Sequence, residues 1–159
     1  MKIALILVGK TTGKHMEALI NDYVERVGHY VGLEIKVIPE LKNVRNVPVG
    51  QQKEKEAELI MQQLKAGDEI VLLDERGREF RSVEFADMLS HSFAQSAARR
   101  LVFIVGGPYG FSPRLYERGK SMMSLSRMTF SHQMIRLLFV EQLYRALTII
   151  HGESYHHEG

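Results

Sequence analysis

The sequence predicts an α/β domain with a mostly parallel sheet flanked by helices, and three observations support this prediction. Short apolar runs alternate with helical patterns along the whole chain, which is typical of parallel strands joined by helical crossovers. The first run, Lys2–Val8, is almost entirely aliphatic, as expected of a strand that is covered on both faces. The length of 159 residues and the hydrophobic content of 45% fit one domain, 1–159.

The first strand leads into a helix. Apolar side chains within residues 16–27 recur at helical spacing, so one face of the predicted helix is apolar. Gly28 follows as a typical helix terminator. Residues 33–39 form a second apolar run, which predicts a strand and completes a strand, helix and strand unit.

A polar loop over residues 41–50 precedes the next helix. Residues 51–64 carry their apolar side chains on one side among dense charge, which predicts an exposed amphipathic helix that ends by Gly67. Residues 68–73 predict a third strand, and residues 74–77 (Asp-Glu-Arg-Gly) are expected to turn out of it. The two carboxylates of this turn are expected to be solvated; the alternative is an acid and base pair.

Three further helices and a fourth strand follow. Ser82 is expected to cap a helix that reaches about residue 95, and residues 101–105 form the next apolar strand. Pro113 predicts the start of a short helix within residues 111–119, because proline suits the first helical position. A long, mostly apolar helix is predicted over residues 131–150.

This last helix is apolar around most of its circumference. Such a helix must be covered on two sides, whereas a domain of this size offers one core face. A homodimer interface is the simplest cover. The alternative is a central helix that is surrounded by its own domain.

Positive charge is concentrated between residues 99 and 145. This segment holds eight cations and two anions, a balance of +6 in a chain whose net charge is +2. Clustered cations favour a polyanionic partner such as RNA, and the alternative is a solvated cationic helix face. The cations are Arg99, Arg100, Arg114, Arg118, Lys120, Arg127, Arg136 and Arg145.

Composition also excludes several classes of function. The chain has no cysteine, which rules out disulfides, thiolate nucleophiles and thiolate metal sites. Its seven histidines do not have ligand spacing, so no metal site is predicted. No apolar run is long enough to cross a bilayer, and the N-terminus lacks the features of a signal peptide, so a cytoplasmic location is expected.

The loops after the third and fourth strands are the expected place for a ligand, because ligands bind beyond the carboxyl ends of parallel strands. Residues 106–110 (Gly-Gly-Pro-Tyr-Gly) directly follow the fourth strand. Such a glycine-rich turn lets a ligand approach the backbone without interference from a Cβ atom. A purely structural turn is the alternative.

Further motifs accompany this turn in a fixed order. The chain starts with KI-x-L-x-x-VGK and continues with LDERG, GGPYG, SLS, TFSH, EQLYRA and a terminal YH. This series resembles the ribosomal RNA large subunit methyltransferase H family. The proteins of that family are small members of the SPOUT class of S-adenosylmethionine-dependent RNA methyltransferases. The resemblance extends from Met1 to His156.

The resemblance implies a SPOUT-type α/β knot, in which the C-terminal segment makes a deep trefoil knot, and a homodimer formed by the final helices. It also implies S-adenosylmethionine as cofactor and methylation of N3 of a pseudouridine in large-subunit ribosomal RNA on the assembled ribosome. The cofactor residues that it implies are Leu73, Gly107, Leu125, Ser126, Arg127, Met128, Thr129, Phe130 and Ser131.

Several residues are candidates for handling the RNA. His156 and His132 are candidate proton acceptors, since imidazole can exchange protons near neutral pH, and Tyr155 could stack on the base. Arg145 and Arg136 are expected to hold phosphates or uracil carbonyls, whereas the alternative for Arg145 is an ion pair with the residue four positions before it. Two other functions stay open: a SPOUT methyltransferase of another RNA target (ribose 2′-O or transfer RNA), and a non-catalytic RNA-binding or ribosome-binding protein.

Overall fold

Five parallel strands form one sheet in the computed structural model, which describes residues 2–95, 100–119 and 121–156. The strand order is β2-β1-β4-β3-β5, and every neighbouring pair is parallel. The predicted α/β class with a parallel sheet is therefore confirmed. The strands are β1 (Lys2–Val8), β2 (Gly32–Ile38), β3 (Glu69–Glu79), β4 (Arg100–Val105) and β5 (Ser121–Ser124).

Helices cover both faces of this sheet. The odd-numbered helices share one apolar core with side chains such as Leu5 and Phe103, and the even-numbered helices share the other core with side chains such as Ile6 and Ile104. β1 from Ile3 and β4 from Leu101 onward are continuously apolar and buried, as expected of strands that are covered on both faces. The helices are α1 (Lys14–Gly28), α2 (Val49–Met61), α3 (Ser82–Ala94), α4 (Pro113–Arg118) and α5 (Met134–Ile150).

The predicted turn at residues 74–77 is wrong, because β3 continues to Glu79. Its pairing with β5 is irregular between Leu73 and Arg78, where the register shifts. Gly77 permits this path: a Cβ at that position would lie 2.5 Å from the backbone nitrogen of Met123 in β5. The glycine that suggested a turn is required by the close approach of two strands.

The predicted cap of α3 is also corrected. The residue before the helix is Arg81, whose backbone N–H donates to Glu84 Oε1 at 2.8 Å. Ser82 is the first helical residue, and its hydroxyl donates to Gln142 Oε1 of α5 at 2.8 Å. A side chain that resembles a local cap in the sequence therefore joins two helices.

The last helix begins three residues later than predicted. Ser131 Oγ accepts the backbone N–H of Met134 at 3.0 Å, so it satisfies one of the free donors at the start of α5. The helix packs on α1 and α3 and buries Phe139, Leu143 and Leu147 in the core. Met134 is exposed, and six further apolar side chains are half-buried in the single chain: Ile135, Leu137, Leu138, Tyr144, Ile149 and Ile150. The homodimer stays a prediction. Within the described ranges, no helix is long and apolar enough to cross a membrane.

Candidate active site

A cleft of about 1380 Å³ lies at the carboxyl ends of β4 and β5 and beside the middle of β3, at residues 73–76. Ligands bind beyond the carboxyl ends of parallel strands, and the loop after β4 lines the cleft as expected. The residues expected to form a loop after the third strand also line it, but they belong to β3. Of the nine predicted cofactor residues, eight line the cleft: Leu73, Gly107, Leu125, Ser126, Met128, Thr129, Phe130 and Ser131.

The glycine turn forms one wall of the cleft and is held by α2. The backbone N–H of Gly110 donates to the carbonyl of Gly107 at 3.2 Å, which closes the turn. The N–H of Gly107 donates to Glu56 Oε1 at 3.2 Å, and a Cβ on Gly107 would lie 2.8 Å from Glu56 Oε2. Burial raises the pKa of Glu56, and the hydrogen bond from Gly107 partly offsets this.

The opposite wall is a loop, residues 125–133, that is shaped by serine hydroxyls. Ser124 Oγ donates to the carbonyl of Ser126 at 2.9 Å, and Ser126 Oγ accepts the backbone N–H of Met128 at 2.9 Å. These short-range side-chain bonds replace the backbone bonds of a helix or strand. They fix the irregular backbone of residues 124–128. Met128 is 75% exposed and lines the cleft, so it presents an apolar surface to whatever enters.

Arg127 is the predicted cofactor residue that does not line the cleft. Its Nε lies 3.2 Å from Glu79 Oε1, and its side chain is 92% exposed. An exposed ion pair of this kind contributes little to stability. The cofactor role of Arg127 stays a prediction, and the location of its side chain outside the cleft does not support that role.

Arg136 is buried, so its predicted role of holding RNA phosphates or uracil carbonyls is wrong. It is 1% exposed, and its guanidinium donates to the carbonyls of Val8 (2.7 Å), Gly9 (2.9 Å) and His132 (3.0 Å) and to Thr11 Oγ1 (3.1 Å). Burial lowers the pKa of Arg136, although nearby Glu40 acts in the opposite direction. Its hydrogen bonds join the end of β1 to the cleft loop.

Gln133 makes a second connection between the same two segments. Its Oε1 accepts the backbone N–H of Thr12 at 2.9 Å, and its Nε2 donates to the carbonyl of Lys10 at 3.0 Å. The loop that carries most of the predicted cofactor residues is therefore fixed at its helical end by two side chains, those of Gln133 and Arg136.

Asp74, Arg76 and Tyr116 form a polar group in the cleft that the sequence did not reveal. The hydroxyl of Tyr116 donates to Asp74 Oδ2 at 2.5 Å, and the backbone N–H and Nε of Arg76 donate to Asp74 Oδ1 at 2.9 and 3.3 Å. The Asp74 side chain is only 7% exposed, so the expectation of a solvated carboxylate is wrong for Asp74, whereas Glu75 is exposed as expected. Burial alone would raise the pKa of Asp74, but these donors hold it below its usual value.

The predicted catalytic residues separate into two groups. His132 lines the cleft. Arg145 and Tyr155 do not, and both instead donate to Glu141 Oε1, from Arg145 Nη2 at 2.6 Å and from the Tyr155 hydroxyl at 3.0 Å. His156 Nδ1 lies 3.5 Å from Arg145 Nη1. We call Glu141, Arg145, Tyr155 and His156 the tail cluster.

The tail cluster is built on α1 and α5. The guanidinium of Arg145 lies 4.9 Å from the ring centroid of Tyr155, and the Tyr144 and Tyr155 rings meet edge to face at 4.7 Å. The hydroxyls of Tyr155 and Tyr23 are 3.3 Å apart. Burial raises the pKa of Tyr155, and its hydrogen bonds to Tyr23 and Glu141 raise it further. The ion pair of Arg145 with Glu141, which the sequence left as an alternative, is therefore present.

A second, smaller cavity of about 190 Å³ lies between the cleft and the tail cluster. Leu125 and Phe130 line both cavities, and Glu141 lines the small one. The two groups of predicted site residues thus approach each other at this point.

The predicted basic face is dispersed. Arg100 and Arg136 are buried, and Arg100 Nη2 lies 2.7 Å from Asp68 Oδ2 near the start of β4, away from the cleft. Arg114 lies 3.4 Å from Glu54, and Arg127 and Arg145 also face carboxylates. Two further members, Arg99 and Lys120, lie outside the described residues. The net charge of +6 between residues 99 and 145 therefore does not correspond to a continuous cationic surface among the described residues.

No metal centre is found in the part of the chain that the structure describes: there, no three His, Asp or Glu side chains are grouped to hold an ion.

Comparison with known families agrees with this architecture. The family described as "Predicted SPOUT methyltransferase" matches residues 1–156, which include all five strands and the whole cleft. A SPOUT methyltransferase is thus the class of protein to which this fold and cleft correspond.

Relatives with curated names define the family further. The chain is 57% identical to the ribosomal RNA large subunit methyltransferase H of Phocaeicola vulgatus over 158 residues, which is 99% of this chain and 100% of the relative. The proteins of the same name from Bacteroides fragilis and Flavobacterium johnsoniae are 54% and 49% identical over the same shares. The chain belongs to the ribosomal RNA large subunit methyltransferase H family of SPOUT methyltransferases.

Proposed function

We propose that this protein uses S-adenosylmethionine to methylate N3 of a pseudouridine in 23S ribosomal RNA of the large subunit. The observation that carries the proposal is the cleft at the carboxyl ends of β4 and β5 and beside the middle of β3, which is lined by eight of the nine residues that the family resemblance assigns to the cofactor. The proposal includes a single knotted domain, a homodimer, and action on assembled ribosomes in the cytoplasm.

The cleft suits this cofactor in size and chemistry. Its volume of about 1380 Å³ exceeds the roughly 300–1,000 Å³ of ordinary small-molecule sites, which leaves room for part of a second substrate. Leu73, Leu125 and Met128 offer apolar surface for a purine ring, and the glycine turn offers backbone groups. The lining carries three carboxylates and two cations, a balance that suits a cofactor whose net charge is positive.

When bound, S-adenosylmethionine supplies an electrophilic methyl group, so the protein needs no nucleophile of its own. The work left to this chain is to align the acceptor base with the cofactor site and to take up the imino proton. His132 is the predicted proton acceptor that lines the cleft. Arg145, Tyr155 and His156 are proposed to bind or orient the base from the tail cluster.

Calorimetric titration with S-adenosylmethionine tests the cofactor. We expect binding in the micromolar range or tighter, and weaker binding by Gly107→Ala, because the new Cβ would lie 2.8 Å from Glu56 Oε2 and push away the carboxylate that accepts the Gly107 N–H. Gly50→Ala is the matched control, since a Cβ there meets no atom within 4 Å. Absence of binding by the unmodified protein would leave the non-catalytic RNA-binding function as the better explanation.

Mapping of the methylated nucleotide tests the substrate. Ribosomal RNA from cells with and without the protein is to be compared, and purified ribosomes from the deficient cells are to be methylated in vitro. We expect one N3-methylated pseudouridine in the large-subunit RNA to depend on the protein. A dependent methyl group on a ribose 2′ oxygen or in transfer RNA would assign a different SPOUT specificity.

A further inference from the structure

A cationic surface lies at the carboxyl edge of the sheet, beside the cleft. It consists of two segments, residues 9–15 after β1 and residues 39–48 after β2, and we call it the edge surface. The two segments hold four cations and a single carboxylate, that of Glu40. The cations are Lys10, Lys14, Lys42 and Arg45.

These four cations differ from those between residues 99 and 145, most of whose described members are buried or face carboxylates. All four are exposed, and within the described part of the chain none of them forms an ion pair. The one carboxylate, Glu40, raises the pKa of the buried Arg136 against the effect of burial, so a cation behind the surface opposes it. The positive charge of the edge surface is therefore left for an external partner.

Hydrogen bonds join the edge surface to one wall of the cleft. Gln133 of the cleft loop accepts the backbone N–H of Thr12 and donates to the carbonyl of Lys10. The two segments meet at Gly9, whose N–H donates to the carbonyl of Ile38 at 2.7 Å. They approach so closely there that a Cβ on Gly9 would lie 2.6 Å from Glu40 Oε1.

Helix α2 joins the second segment to the other wall of the cleft. Gln52 Nε2 donates to the carbonyls of Val44 at 3.2 Å and Val47 at 2.8 Å, which holds this part of the segment against the start of α2. Lys53 comes next in the chain and lines the cleft. One turn further, α2 holds the glycine turn. The edge surface thus has a fixed shape and a fixed position beside the cleft before any partner binds.

An RNA chain whose acceptor base enters the cleft continues on both sides of that base, and each flanking nucleotide brings a phosphate to the protein surface. Lysine and arginine contacts to phosphates position a nucleic acid without reading its sequence. We propose that the edge surface binds phosphates of the ribosomal RNA that flank the acceptor nucleotide, with Lys10, Lys42 and Arg45 as contacts. The inference rests on the proposed methyltransferase function and assigns a docking surface to its substrate.

Removing two charges is the first test. Lys10→Gln combined with Arg45→Gln leaves the cleft loop connected, because Gln133 bonds to the backbone of Lys10 and not to its side chain. We expect the Kd for ribosomes, measured by co-sedimentation at constant magnesium, to rise about tenfold. The slope of log Kd against log salt concentration should fall by about 1.4–1.8, since one phosphate contact contributes about 0.7–0.9. The kcat at saturating ribosomes and the Kd for S-adenosylmethionine should stay constant.

Lys2→Gln combined with Lys65→Gln is the matched control for this variant. It removes the same charge from two exposed lysines at the opposite, amino edge of the sheet, where β1 begins and shortly before β3 begins. We expect no change in its Kd for ribosomes or in the salt slope. An equal effect of the two double variants would assign the effect to net charge and overturn the edge surface.

Changing the charge at one exposed position is the second test. Asn46 follows Arg45 in the second segment and is exposed. We expect Asn46→Lys to bind ribosomes several-fold more tightly than the unmodified protein and Asn46→Glu to bind them several-fold more weakly, because the first adds a cation beside the phosphates and the second an anion. A shift of both variants in the same direction would indicate a steric effect and overturn an electrostatic contact.

Binding of polyuridylate identifies the kind of partner. At low salt the unmodified protein should bind this single-stranded RNA, and the variant that lacks Lys10 and Arg45 should bind it more weakly by about the same factor as it binds ribosomes. A variant that loses affinity for ribosomes without any loss of affinity for polyuridylate would assign the edge surface to a ribosomal protein. That result would overturn the proposal.

These binding measurements do not require methyl transfer, so the inference and the function on which it rests can fail separately. An active enzyme whose affinity for ribosomes is unchanged in the first double variant would overturn the inference alone. Loss of S-adenosylmethionine binding by that variant would also overturn it, because the two segments would then support the cofactor site. A protein that binds ribosomes through the edge surface but neither binds the cofactor nor methylates them would overturn the proposed function alone.

Discussion

The guanidinium of Arg136 donates from Nη2 to the carbonyl of Val8 at 2.7 Å, across 128 residues of sequence. This bond joins the first strand of the sheet to the start of its last helix. Because the same guanidinium also holds the carbonyl of His132, the path of the cleft loop depends on the end of β1. Arg136 is therefore a positioning residue for the predicted cofactor site.

Replacing Arg136 tests this dependence. Arg136→Met leaves several buried carbonyls without a donor, at about 1–3 kcal/mol for each group that stays unsatisfied, so we expect a loss of roughly 3 kcal/mol or more in the free energy of unfolding and weaker cofactor binding. Urea denaturation and calorimetry measure the two effects. Arg26→Met is the control, because Arg26 forms an exposed pair with Asp22; an equal response of both variants would contradict the positioning role.

Gly77 should tolerate no side chain. In Gly77→Ala the Cβ would lie 2.5–2.7 Å from backbone atoms of Met122 and Met123, and backbone cannot move aside as a flexible side chain can. We expect the β3 and β5 pair to separate locally, with a lower melting temperature and faster amide exchange in β5. Gly28→Ala is the matched control at the end of α1, where a Cβ meets no atom within 4 Å and alanine favours helix by up to about 1 kcal/mol.

The strands and helices could be predicted because their signals are local. An almost continuous aliphatic run such as Lys2–Val8 identifies a buried strand wherever its neighbours lie. The roles of Arg136 and Asp74 could not be predicted in this way, since their burial depends on partners that are distant in sequence: Val8 for one and Tyr116 for the other. A charged residue in a sequence is assumed to be solvated unless the fold supplies such partners.

In the candidate site, too, some features could be predicted from the sequence and others depend on residues that are distant in it. Motif order identified the residues around the cleft, and eight of the nine cofactor candidates line it. The hydrogen bond from Gly107 to Glu56 and the position of Glu141 beside Phe130 depend on helix packing. No periodicity or spacing in the sequence carries that information.

The Asp68 and Arg100 pair should make stability sensitive to acid. Arg100 binds the Asp68 carboxylate through Nε at 3.0 Å and Nη2 at 2.7 Å. Burial alone would raise the pKa of Asp68, but the bonds from Arg100 outweigh it and hold the pKa below its usual value. This stabilisation is therefore complete above the unfolded pKa of about 3.9 and is lost as the pH falls through the lower folded pKa.

Asp68→Asn should accordingly lose about 3–5 kcal/mol at neutral pH, the usual cost of breaking a buried pair. The difference from the unmodified protein should shrink below about pH 4, as measured by urea denaturation between pH 3 and 7. In Glu34→Gln, which removes a more exposed partner 3.7 Å from Arg100, we expect little change. A difference for Asp68→Asn that is constant with pH would contradict the ionic origin of the effect.

Glu56 should have the opposite pH dependence. Burial raises its pKa, so the folded state favours the neutral carboxyl, and this contribution is complete below the unfolded pKa of about 4.3 and lost as the pH rises through the folded pKa. Glu56→Gln cannot ionise and keeps an acceptor for Gly107. We expect its stability relative to the unmodified protein to increase from pH 4 to pH 8; Glu54→Gln, on the exposed side of the same helix, should show no such increase.

The C-terminal tail should be required for methyl transfer but not for cofactor binding. Among the described residues, those from 153 to 156 lie outside the cleft lining. They contact Tyr23 of α1, Tyr30 just after α1, and Glu141 and Arg145 of α5. Deletion of residues after Gly152 removes Tyr155 and His156, so Glu141 loses its bond from Tyr155, and Arg145 loses both His156 and the Tyr155 ring. We expect methylation of ribosomes to decrease on the order of a hundredfold, with nearly unchanged affinity for S-adenosylmethionine by calorimetry.

Two point variants distinguish a role of the tail in methyl transfer from a role in holding the tail in place. Tyr155→Phe removes only the hydroxyl that donates to Glu141 at 3.0 Å, so it should lower activity less than the deletion does. Tyr30→Phe removes the hydroxyl that donates to Glu153 Oε2 at 2.6 Å, and it should stay active, because that bond anchors the tail away from the tail cluster. If the deletion abolished cofactor binding as well as methyl transfer, the tail would be a structural support of the cleft, and Tyr155 and His156 would lose their proposed place beside the base.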